Sequence, residues 1–192
     1  MLRICASLVA IGLVVPIIAV AGPAGPTIQG DPQAIAEYRA AYDKFGSART
    51  YRSKMTAGTQ GVMTIEYVAP DRMRLIYTGG EFIVIGDTQW SRDPGRCIKL
   101  PQKVKMPDPR EGVQQEADAT VQVAKGGAEA VEGTPTQTYN VVITVKGKTI
   151  RQKMYVATQT GYPRRVEMSG QEGTVVIDYW DFNAAITIEP PC

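Results

Sequence analysis

The chain has 192 residues, with 21 basic against 19 acidic side chains, three cysteines and no histidine, for a formal charge of +2. That balance offers no polyanion-binding surface, and no basic run is interleaved with aromatics, so no nucleic-acid partner is expected. Without histidine the chain lacks the commonest general base, the usual zinc ligand and every Ser-His or Cys-His nucleophile pair.

The N-terminus reads as an export signal. Met1-Leu2-Arg3 is a short basic start, Leu8 to Val20 is almost wholly apolar, and Ala19-Val20-Ala21 supplies small residues for a peptidase. This order predicts a cleaved signal peptide over 1–21, a flexible stretch over 22–30 and one domain over 31–192. The apolar run is short for a membrane span and Pro16 interrupts it. Cys5 precedes the apolar run, too early for an acylation site, and leaves with the signal. Cys97 and Cys192 remain, an even pair that favours a disulfide in an exported chain. It would tie the last residue back to the middle of the domain.

Asp31-Pro32 predicts a helix start, with Asp31 as N-cap and Pro32 at the first helical position, and Gly46 marks the expected end. Between them Ile35, Tyr38, Tyr42 and Phe45 recur at spacings of 3, 4 and 3 and share one face. Glu37, Arg39, Asp43 and Lys44 take the other.

After the helix the pattern changes to period 2. Met63, Ile65 and Tyr67 alternate with Thr64 and Glu66, and Met73, Leu75 and Tyr77 alternate with Arg72 and Arg74. Gly79-Gly80 predicts a tight turn, and Phe82-Ile83-Val84-Ile85 is apolar on both faces. Gly86-Asp87 predicts a second turn, leading to Trp90. Residues 101–118 hold three prolines and mixed charge and read as a long connection, either an ordinary surface loop or a lid or rim. Strands resume over 119–131, 136–146, 148–157, 163–169 and 173–181, and Asn183 to Pro191 brings Cys192 back along the end. Short strands with Gly, Pro and Asp punctuation predict an antiparallel meander.

No Gly-x-Ser-x-Gly, phosphate loop or dinucleotide fingerprint occurs, and neither a cofactor nor a metal is expected. Glu66, Asp71, Glu81, Asp87, Glu167, Asp178 and Asp181 are scattered carboxylates. A solvated strand face explains them more simply than a hydrolytic pair does. The remaining signal is apolar surface. One helix of about four turns cannot cover so much sheet, so the sheet must curl toward a barrel or half-barrel. The same apolar residues fit either a filled core or a cavity wall, and methionines 63, 73, 154 and 168 suit a wall that adapts to irregular chains.

Several segments resemble the outer-membrane lipoprotein carrier family, which includes LolA, LolB and mycobacterial LppX-like relatives. They are Val68-Ala69-Pro70-Asp71-Arg72-Met73-Arg74-Leu75, the following Glu81 to Trp90 hairpin, Val131 to Tyr139, Thr160 to Glu167, and Asp181-Phe182-Asn183 with Ile186 to Pro191. Together they span about 31–191. The resemblance implies a mainly β (α+β) fold, an unclosed antiparallel β half-barrel with helices forming a lid over an apolar cavity. It also implies a periplasmic carrier that performs no chemistry and holds lipid or lipoprotein acyl chains. Ile35, Tyr38, Tyr42 and Phe45 would face the cavity from the lid. Met63, Ile65, Tyr67, Met73, Leu75, Tyr77, Trp90, Val141, Ile143, Met154, Met168 and Ile177 would line it. Membrane-associated donor and acceptor proteins are further implied partners. The carrier proper places an arginine where this sequence has Ala69, and the Cys97–Cys192 pair is not part of its pattern. A regulatory or sensor module on the same fold is the alternative reading.

Overall fold

A computed structural model describes residues 27–58, 61–101, 119–170 and 173–192. The predicted signal peptide, and the 101–118 connection from residue 102 onward, lie outside them. The first described element falls in a stretch expected to be flexible. Thr27–Gly30 forms strand β1, paired in parallel with Thr120–Val123. Glycine at 30 is required there: φ is +137°, and a Cβ would collide with the Val123 carbonyl oxygen.

Helix α1 follows over Pro32–Gly46. Its start is as predicted, with the Ala34 N–H donating to Asp31 Oδ1 at 3.0 Å. Its end differs. Gly46 is the last helical residue, and Ser47 caps the helix in a right-handed conformation, its N–H reaching the Asp43 and Lys44 carbonyls. Ala34, Tyr38 and Ala41 are the buried positions, so two alanines, not only large side chains, make the contact.

Two antiparallel meanders come next. The first comprises β2 (Thr50–Ala57), β3 (Val62–Val68), β4 (Arg72–Tyr77), β5 (Gly80–Ile85), β6 (Thr88–Asp93) and β7 (Arg96–Leu100). The second comprises β8 (Thr120–Val131), β9 (Thr134–Val145), β10 (Lys148–Ala157), β11 (Pro163–Gly170) and β12 (Gly173–Trp180). Pairing of β12 with β2 joins them into one sheet, ordered β1-β8-β9-β10-β11-β12-β2-β3-β4-β5-β6-β7. The end strands β1 and β7 do not pair with each other, so the half-barrel is unclosed. The sheet is antiparallel except at β1, which makes it mixed.

The chain then crosses the outside of the first meander as a strap. The Asn183 N–H donates to the Thr50 carbonyl, Thr50 Oγ1 to the Ala184 carbonyl, and Arg72 Nη1 to the Ile188 carbonyl at 2.7 Å. Ile186 and Ile188 bury against Ile83 and Trp90, with Val68 and Ile85 at the margin. The predicted disulfide between Cys97 and Cys192 fixes the strap's end to edge strand β7.

Candidate ligand-binding face

Strand pairing decides which side chains share a face, because directly paired residues point the same way. Val121 and Val123 pair with Ile143 and Val141, and Tyr139 pairs with Met154. The row continues from Met154 to Val166, from Gln152 to Met168, and from these to Ile177 and Val175. Ile177 pairs with Met55, Met55 with Met63, and Tyr51 with Tyr67. Ile65 then meets Leu75, Tyr67 meets Met73, and these meet Phe82 and Val84. The result is a continuous apolar inner face across β8 to β5.

Met63, Ile65, Tyr67, Met73, Leu75, Val141, Ile143, Met154, Met168 and Ile177 all stand on that face. Tyr77, paired with Gly80, also belongs to it. Helix α1 lies across one part of it, in contact with β8, β1 and β11. Tyr38 is buried there, and Ile35 and Tyr42 pack against the same cluster. Phe45 joins a group of rings at the helix's C-terminal end, 5.0 Å from Tyr51, 5.2 Å from Tyr179 and 6.2 Å from Phe182. Beyond Phe45 at Tyr51, no helix covers the inner face along β2 to β5 among the described residues, although Val84 is buried there. Met55, Met63, Ile65, Met73, Leu75 and Phe82 are only half-buried there.

Trp90 is the exception among the expected residues. It pairs with Ile83 and lies on the outer face beneath the strap, 8% exposed. Phe82 to Ile85 read as apolar on both sides because two different things cover them. Phe82 and Val84 face inward, while Ile83 and Ile85 meet the strap.

Polar contacts hold the helix to the sheet. Glu37 accepts from Lys125 Nζ at 2.7 Å and from the Tyr139 hydroxyl at 2.8 Å. Its carboxyl is lowered from an ordinary 4.5 to about 2, chiefly by the Lys125 bond and then by Tyr139 and Gln33. Gln152 Nε2 donates to the Tyr42 hydroxyl at 3.1 Å. Burial pushes the Tyr38 hydroxyl above its ordinary range, as it does those of Tyr51 and Tyr179.

The outer face carries the charges. Arg52 bonds Glu66 at 2.8 Å and Asp181, Arg74 bonds Glu66 at 3.1 Å and approaches Glu81, and Arg92 bonds Glu81. Arg165 bonds Asp178 at 2.6 Å. Four of the seven carboxylates considered for hydrolysis are thus each held by an arginine. A surface hollow of about 250 Å³ lies on this same side, over β9 to β12, bordered by Asn140, Arg151, Lys153, Glu167, Ser169 and Thr174.

Sequence reading missed β2, although Tyr51, Ser53 and Met55 alternate with Arg52 and Lys54. Tyr51, Tyr179 and Phe82 were not singled out for the inner face, and neither were Val121, Val123 and Val166. Their period-2 spacing carried the signal.

No family model matches the chain, and no curated protein matches it. Solved structures do match. The lipoprotein LppX from Mycobacterium tuberculosis superposes with a TM-score of 0.64 at 16% identity, covering 83% of this chain and 100% of that one. LprF from Mycobacterium bovis gives 0.67 at 13% identity, covering 84% and 98%. These likenesses establish shared architecture over nearly the full length of both neighbours. The chain has the fold of LppX and LprF.

Proposed function

We propose that the protein is an exported carrier that holds lipid or lipoprotein acyl chains against the inner face of its half-barrel, without chemistry. The observation that carries this reading is the apolar row continuing from the helix-covered strands onto β2 to β5, where, beyond Tyr51, no described helix covers it. An antiparallel sheet ordinarily wets one face. Here the arginine–carboxylate pairs lie on the outer face, and a continuous apolar row lies on the inner one.

Apolar burial alone suffices for retention. Transferring about ten methylene groups from water is worth roughly 8 kcal/mol. Met55, Met63 and Met73 supply flexible side chains that accommodate more than one chain shape. The fold shared with LppX and LprF supports this reading. The signal-like N-terminus supports export with removal of residues 1–21.

Leu75→Asp tests the site, because Leu75 is half-buried on the inner face away from the helix. A fluorescent fatty acid added to the purified protein should show a blue shift that Leu75→Asp removes, with the urea midpoint little changed. If Leu75→Asp unfolds the protein while the original chain takes up no probe, the inner face is a filled core and the carrier reading fails.

A further inference from the structure

Among the described residues, the hairpin joining β9 and β10 stands beyond its neighbours. β8 pairs with β9 only as far as Thr120 opposite Thr144, and β11 pairs with β10 only from Arg151 opposite Ser169. Val145 to Ile150 therefore pair almost wholly within the hairpin, closed by Lys146 and Gly147 at φ +49° and +77°. Such a two-residue turn keeps the tip narrow and twisted with the strands.

Its chemistry is one-sided. From Gly133 through Val166 the sequence has no acidic residue, while Lys146, Lys148, Arg151, Lys153, Arg164 and Arg165 all fall there. Three of these cations are neutralised within the fold: Lys153 by Glu129, Arg164 by Glu132 and Arg165 by Asp178. Lys148 and Arg151 are exposed and enter no ion pair among the described residues. Between them stands Ile150, 38% exposed on the inner-face side, opposite Ile143.

We propose that this tip docks the protein on an anionic phospholipid surface, with Lys148 and Arg151 against the headgroups and Ile150 at the acyl boundary. Unneutralised cations beside an exposed aliphatic side chain match a bilayer, which offers both negative charge and an apolar layer. An acidic protein would match only the cations. The docking would turn one end of the inner face toward the membrane. That purpose rests on the acyl-carrier reading, but the docking itself does not.

Co-sedimentation of the purified protein with vesicles of phosphatidylcholine, alone or with phosphatidylglycerol added, tests the docking. The protein should pellet with the anionic vesicles, release as salt is raised, and stay in solution with phosphatidylcholine alone. Each cation near such a surface contributes about a fivefold gain in partition, so K148A/R151A should bind roughly twenty-five-fold more weakly. Lys148→Arg with Arg151→Lys should restore binding, and circular dichroism should show all variants folded. Equal binding to both vesicle types, no binding to either, or full binding by K148A/R151A would overturn the proposal. Fatty-acid uptake by K148A/R151A should be unchanged, so loss of docking and loss of the acyl site register separately.

Discussion

Glu37 shows how much a single side chain can organise. It sits on the polar side of the helix, yet it gathers Lys125 and the Tyr139 hydroxyl from two strands. Because its carboxyl is held at about 2, its share of stability is complete above its ordinary 4.5 and fades as pH falls toward 2. The melting temperature of Glu37→Gln should therefore fall less between pH 5 and 2 than that of the original chain. Parallel acid limbs in the two proteins would refute the latch. Trp90 teaches the complementary lesson. The family resemblance implies the ligand face for it, but pairing with Ile83 puts it under the strap. Composition around a turn does not say which face is which until something distant covers one of them. Trp90→Ala should cost about 3–5 kcal/mol in urea unfolding, as a large core truncation does, while fatty-acid uptake persists. Lost uptake in a folded Trp90→Ala protein would return the residue to the ligand face.

Among the elements, α1 and the five strands of the second meander were legible, since caps, period 3.6 and period 2 are local signals. β1 was not. Four residues pair at the sheet edge only because Gly30 lets the backbone approach Val123, a long-range contact with no local pattern. Gly30→Ala should release β1, seen as fast hydrogen exchange at Thr27, whose N–H donates to the Ala119 carbonyl. Unchanged protection there would show that the close approach is not needed. The strap was legible in outline from Cys192. What it covers was not, because Ile186 and Ile188 meet partners far earlier in the chain, Ile83 and Trp90. The Cys97–Cys192 bond closes a separation of 95 residues, and on the chain-entropy model its loss costs about 4–5 kcal/mol. Cys97→Ser with Cys192→Ser should lower the urea-derived stability by that amount. A change below about 1 kcal/mol would mean that the strap's isoleucines and hydrogen bonds hold it unaided.

For the whole molecule, the amount of apolar sequence set the architecture. Strands with more apolar surface than one helix can cover demanded a curved sheet, and the half-barrel meets that demand. What sequence left open was how two-sided strands are covered. In the folded chain the strap takes the outer side of β5, and α1 takes the inner side of β8 to β12. The inner side of β2 to β5 is where acyl chains are proposed to lie. The most direct measurement is native mass spectrometry of the protein purified from an exporting host, followed by organic extraction of whatever co-purifies. A bound acyl species that disappears in Leu75→Asp is the predicted result. A bare polypeptide mass that stays bare after incubation with fatty acids and phospholipids would contradict the carrier reading.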